Sequence, residues 1–165
     1  MKDKLKQLKA CDEAREWAAN KTAQELFDTC PRGDWMLWLF RRTNPDDLQL
    51  LTLAKAHCAN TVRHLMTDER SLKAVDVAIA FGEGRATREE LDAAYDAAAA
   101  AADAGYAAAA YAAAAAVAAV DADAAAAATV AAATAVAADA YVKKENQKLT
   151  ADICRKYLPF EIWNI

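Results

Sequence analysis

The chain has 165 residues, and its 56% hydrophobic share is mostly alanine, so mean hydropathy is only -0.09. With 4 glycines and 3 prolines the composition excludes collagen-like, hairpin-rich β and Gly/Pro-linker classes. A net charge of -4 and a pI near 5.2 argue against a nucleic-acid binder, which would show a basic stripe or an elevated pI. The charge is unevenly spread: residues 1–87 carry 14 Lys and Arg against 13 Asp and Glu, residues 88–142 carry 1 against 8, and residues 143–165 carry 5 against 3. The middle block holds 33 alanines among its 55 residues and nearly all of the negative excess.

In chain order, Lys4 to Asn20 places Leu5, Leu8, Cys11 and Trp17 near one face and predicts a single amphipathic helix. Thr22-Ala23-Gln24-Glu25 is a capping box that opens a short helix running to Thr29. Cys30-Pro31-Arg32-Gly33 interrupts, and Asp34 is placed to cap a third helix carrying Trp35 and Trp38, one turn apart and expected to fill core. Asn44-Pro45-Asp46-Asp47 starts a fourth helix, with Asn44 as cap, continuing to about Leu65. Asp68 or Ser71 opens a fifth that stops at Gly82-Glu83-Gly84. Thr87-Arg88-Glu89-Glu90 repeats the capping box and launches the alanine-rich tract.

A single helix from Thr87 to Tyr141 would be about 80 Å long, whereas a compact chain of this size has a radius of gyration of about 15 Å. The tract is therefore expected to fold back near Asp121-Ala122-Asp123 as a hairpin of two alanine-rich helices. A last helix spans about Glu145 to Tyr157. The expectation is an all-α, multi-helix bundle with a long alanine-rich helical hairpin. It forms one domain: an N-terminal helical core (1–86), alanine-rich helices (87–142) and a C-terminal helix and tail (143–165).

Ala104 to Val120 is 17 residues without a charge, but it is short, almost all alanine, and interrupted by two tyrosines, so a membrane span is rejected. The N-terminal run MKDKLKQLK has no apolar segment of the secretory kind, and Cys11, Cys30, Cys58 and Cys154 form no CxxC pair. Buried free thiols in a reducing compartment are the expectation for all four.

Candidate chemistry is sparse. His57 and His64 are seven apart with Cys58 adjoining, but no four-ligand set accompanies them, so neither metal nor cofactor is expected. Ser71 is the only serine and lacks a nucleophile-elbow setting. Asp103, Asp121 and Asp139 are spaced by 18, five full turns of helix, with Asp92 and Asp96 close to the same line. Such a stripe is either a solvated face or an acidic surface for a basic partner, and in the second case the tyrosine flank beginning at Tyr95 packs on the N-terminal helices. Basic and aromatic groups at Arg32, Arg41, Arg42, Trp35 and Trp38 are the ones that would hold a signalling nucleotide if they shared a pocket.

Several segments together carry a resemblance: Ala10 to Trp17 (ACDEAREW), Thr29 to Trp38 (TCPRGDWMLW), Asp68 to Val75 (DERSLKAV) with the later Gly84, the alanine tract, and Ala151 to Lys156 (ADICRK). In this order the chain resembles the Imm5-like family of immunity proteins, which occur in phages and in bacterial polymorphic-toxin loci. Arg32, Gly33, Asp34, Trp35 and Trp38 lie in its most specific segment and are expected to be structural. Ser71, where proline is expected, and Phe81, where tryptophan is expected, depart from it. The resemblance implies a cytoplasmic, non-enzymatic protein of the bacterial host cell that neutralises a toxin domain by direct binding. The alternative is a phage inhibitor of a bacterial defence system, binding an effector protein or sequestering a nucleotide. The expected partner is a toxin or host defence protein, with no membrane or direct nucleic-acid contact.

Overall fold

The computed structural model describes residues 2–66, 68–103 and 140–165. Among these residues there are eight α-helices, two 3-10 turns and no strand. The helices are α1 (Lys2–Gln7), α2 (Asp12–Trp17), α3 (Ala23–Thr29), α4 (Gly33–Thr43), α5 (Leu48–Asn60), α6 (Glu69–Gly82), α7 (Arg88–Asp103) and, next among the described residues, α8 (Ala140–Tyr157). The 3-10 turns cover Arg63–Leu65 and Phe160–Trp163. The protein is an all-α bundle, as its capping signals and helical periodicity predict. The fold-back of the alanine tract near Asp121 lies outside the described residues.

Local chemistry sets four of the eight helix starts among the described residues. Thr22 Oγ accepts from Glu25 N–H at 3.2 Å while Glu25 Oε2 accepts from Thr22 N–H at 2.7 Å. The same reciprocal pair joins Thr87 and Glu90, again at 3.2 and 2.7 Å. Each pair satisfies donors that a helix start leaves open. Asp68 caps α6 by accepting from Arg70 N–H at 2.9 Å.

Four expectations about boundaries need correction. The last helix, expected from about Glu145, already runs from Ala140, since no Gly or Pro in the five preceding residues interrupts it. The segment Lys4 to Asn20 is two short helices, because Lys9 adopts φ 64° and lets Ala10 N–H close back on Leu5 C=O at 2.9 Å. The bend redirects the chain so that Leu5, Ala10 and Ala18 all reach one core. Helix α5 is capped by Asp47, which accepts from Leu50 N–H at 3.1 Å, and not by Asn44. Asn44 closes α4, its N–H donating to Phe40 C=O at 2.8 Å, so the turn through Pro45 and Asp46 must pass before the next helix begins. That helix ends at Asn60 instead of running to Leu65.

Two apolar clusters organise the bundle. One gathers Leu26, Met36, Leu37, Phe40, Ile162 and Trp163 with parts of α1, α5 and α8; the other joins Val75, Ala78 and Phe81 of α6 to Leu91, Ala94 and Ala98 of α7. Helix α5 serves both, giving Leu51, Ala54 and Cys58 to the first and Ala56 and Ala59 to the second. Cys30, Cys58 and Cys154 are buried thiols, but Cys11 is exposed, contrary to the expectation for all four.

Candidate functional site

The first cluster is open on one side. Trp17 ends α2, Trp35 and Trp38 stand one turn apart on α4, and Trp163 closes the final 3-10 turn. These are the 4 tryptophans of the chain, and all of them line one cleft of about 280 Å³. Trp35 and Trp38 are therefore cleft walls, partly buried instead of sealed in the core. Trp17 sits between two other indoles, its ring centroid 5.7 Å from that of Trp35 and 6.3 Å from that of Trp163, at tilts of 47° and 59°. Such tilted contacts are favourable for ring quadrupoles. The Trp163 indole N–H is buried without an acceptor among the described residues.

Cations border the indoles. Arg32 lies 4.8 Å over the Trp35 ring, Lys21 4.9 Å over Trp17, and Arg42 5.8 Å over Trp38. Lys9, Cys11, Arg32 and Asp34 are the polar members of the lining. Arg32 is the organiser: its Nε and Nη2 donate to the two Asp34 oxygens at 3.0 and 2.6 Å, and its Nη1 donates to Glu13 Oε2 at 3.1 Å. The Asp34 hydrogen bond, outweighing partial burial, raises the Arg32 guanidinium above its ordinary pKa and keeps it charged.

The expected capping role of Asp34 is thus overturned. Helix α4 begins at Gly33, its N-cap is Arg32 with no side-chain capping bond, and the Asp34 carboxylate turns back to the guanidinium fork. Two parallel charge-assisted bonds satisfy both of its oxygens at once, which a single backbone N–H cannot. Gly33 itself is required by closeness: a Cβ there would lie 2.7 Å from the Thr150 carbonyl carbon of α8.

The other residues singled out from sequence do not join this cleft. Arg41 donates to Pro45 C=O at 2.6 Å, and Arg42 lies over the Trp38 ring without lining the cleft, so the cations proposed to hold a nucleotide are not assembled there. Asp92 and Asp96 are exposed on α7, away from the face formed by Leu91, Ala94 and Ala98, and Asp92 accepts from Arg88 Nε at 2.9 Å. Tyr95 is 37% exposed on α7. Asp103 is the last residue of α7, and Asp121 and Asp139 lie outside the described residues.

His57 and His64 fall on different elements. His57 stacks on Tyr157 of α8 at 4.3 Å and 8°, and burial lowers its pKa, with Lys156 adding to the effect. His64 is exposed on the 3-10 turn after α5. Cys58 faces inward, its Sγ 3.8 Å from Thr150 C=O and 4.0 Å from Cys154 Sγ. Among the described residues no group of three or more His, Cys, Asp or Glu side chains could hold a metal ion, and no helix is long and apolar enough to cross a membrane. Comparison with models of known families, with curated proteins and with solved structures finds no match.

Proposed function

We propose that this protein acts by binding, without chemistry on its partner, and that it neutralises a toxin domain in the bacterial cytoplasm by direct contact through the tryptophan cleft. The observation that supports this reading is the gathering of all 4 tryptophans around an open cleft of about 280 Å³. Tryptophan and arginine dominate the energetics of protein interfaces, because a large rigid ring in a desolvated pocket excludes much water at little entropic cost. The resemblance to immunity proteins supplies the biological class of the partner.

The reading is tested by capturing the partner from host lysate with the wild-type chain and with Trp38→Ala, then titrating the activity of the captured protein. The expected result is loss of that activity at equimolar protein and its return with Trp38→Ala. Neutralisation by Trp38→Ala as complete as by wild type, with helicity unchanged in circular dichroism, overturns the role of the cleft. A captured protein whose activity is untouched overturns neutralisation.

A further inference from the structure

The cleft also specifies the chemistry of what enters it, an inference that rests on the reading just given. Size comes first. A dry apolar void of about 150 Å³ already accepts benzene, and sites for drug-sized ligands run from about 300 to 1,000 Å³. At about 280 Å³ this cleft has room for one aromatic side chain and its immediate flanks, not for a phosphorylated dinucleotide. Its walls suit a ring: the indoles of Trp17, Trp35 and Trp163 meet at tilts of 47° and 59°, so both faces and edges are on offer.

Charge narrows the choice further. Lys9 and Arg32 line the cleft, and Lys21 and Arg42 lie against the indoles that form it. Of the carboxylates at this end, Asp34 and Glu13 are engaged by Arg32 and Asp12 by Arg15, while Glu16 is exposed on α2, so four carboxylates face the five cations Lys9, Arg15, Lys21, Arg32 and Arg42. The surroundings of the cleft are therefore net positive. A cationic or quaternary ammonium group, the usual guest of an aromatic cage, would meet repulsion here. An anionic neighbour of the incoming ring would be attracted and steered.

We propose that the cleft receives an aromatic side chain of the partner protein from an acidic segment, the ring entering between the indoles and a flanking carboxylate meeting Lys9. The probes are three acetylated and amidated pentapeptides: Gly-Asp-Phe-Glu-Gly, its lysine counterpart Gly-Lys-Phe-Lys-Gly, and its ring-less counterpart Gly-Asp-Ala-Glu-Gly. Binding to the full chain is followed by the indole N–H resonances of the four tryptophans, which detect weak complexes. The acidic aromatic peptide is expected to bind at least tenfold more tightly than either counterpart and to weaken as salt is raised. Lys9→Glu is expected to reduce its binding and Lys9→Arg to retain it. Trp38→Ala is expected to abolish binding, and Trp35→Phe serves as a milder variant that keeps a ring in place if Trp38→Ala unfolds the chain. Equal or tighter binding of the lysine peptide, or of the alanine peptide, overturns the proposal. If no peptide binds while Trp38→Ala still releases the captured partner, the anchor chemistry is wrong and the cleft's role in neutralisation stands. If the acidic aromatic peptide binds as expected while Trp38→Ala neutralises fully, the ligand class stands and the functional reading fails.

Discussion

The Arg32 guanidinium ties three carboxylate oxygens and one indole face at the mouth of the cleft, and so couples α2 to α4. Removing one partner leaves the others under-used, which makes the effect of a pair smaller than the sum of its singles. Asp34→Ala is expected to lose about 1 kcal/mol, the upper range for a partly exposed ion pair, and Asp34→Ala combined with Arg32→Leu should lose less than the two separately. Urea unfolding of the four proteins of that cycle measures the coupling. A second residue-scale effect concerns Lys55, fully buried on the central helix α5. Burial, with the charge of Arg41 adding to it, lowers the Lys55 ammonium from 10.5 to about 7. The unfolded chain then holds a proton that the folded chain sheds, so stability rises with pH from about 7 upward. Burial raises the Cys30 thiol from 9.0 to about 11, and the folded chain there keeps a proton that the unfolded chain loses, which opposes the rise above pH 9. The Lys55 contribution is therefore read between pH 7 and 9, where the urea midpoint should climb for wild type and stay flat for Lys55→Met.

Helices in this protein are held as much by what is missing as by what is present. Gly33 and Gly82 sit where a Cβ would come within 2.7 Å of Thr150 and 2.5 Å of Leu53, so the backbone of α4 lies directly on α8 and that of α6 on α5. Gly33→Ala is expected to cost about 1–3 kcal/mol through overpacking, although alanine is the better helix former by about 1 kcal/mol. A lowered melting temperature checks the sign. Thr87→Ala, which removes half of the α7 capping box, should cost about 0.5–2 kcal/mol and show as reduced helicity at 222 nm. The caps at Thr22 and Thr87 were legible because each is decided by four adjacent residues, whereas for α6 the sequence left Asp68 and Ser71 both open. The break at Lys9 and the transfer of the α5 cap from Asn44 to Asp47 were not legible, because tertiary packing of Leu5 and Ala10, and the demand of α4 for its own closing residue, decide them.

At the scale of the whole molecule the helices succeed one another from α7 through α6 and α5 to α4 and α8, with the tryptophan cleft beyond. The class of fold was readable from helical periodicity, capping signals and the scarcity of β-branched residues together. The cleft was half readable: Trp35, Trp38 and Arg32 are neighbours in sequence, whereas Trp17, Lys9 and Trp163 come to them only because the chain turns at Lys9 between α1 and α2 and the final 3-10 turn packs on α3 and α4. The acidic residues of α7 and the cleft belong to different clusters, so they are separable by mutation. Asp92→Asn with Asp96→Asn is expected to leave the affinity for the captured partner unchanged and alter only the salt dependence of association, whereas Trp38→Ala weakens affinity itself. The confinement of every indole to one end has an optical corollary. Tryptophan emission reports the first cluster alone, and circular dichroism, summed over all helices, reports both. Because α5 contributes to each cluster, melts followed by the two signals should coincide; an emission change that runs ahead of the ellipticity would reveal that the cleft end can open while α6 and α7 stay folded.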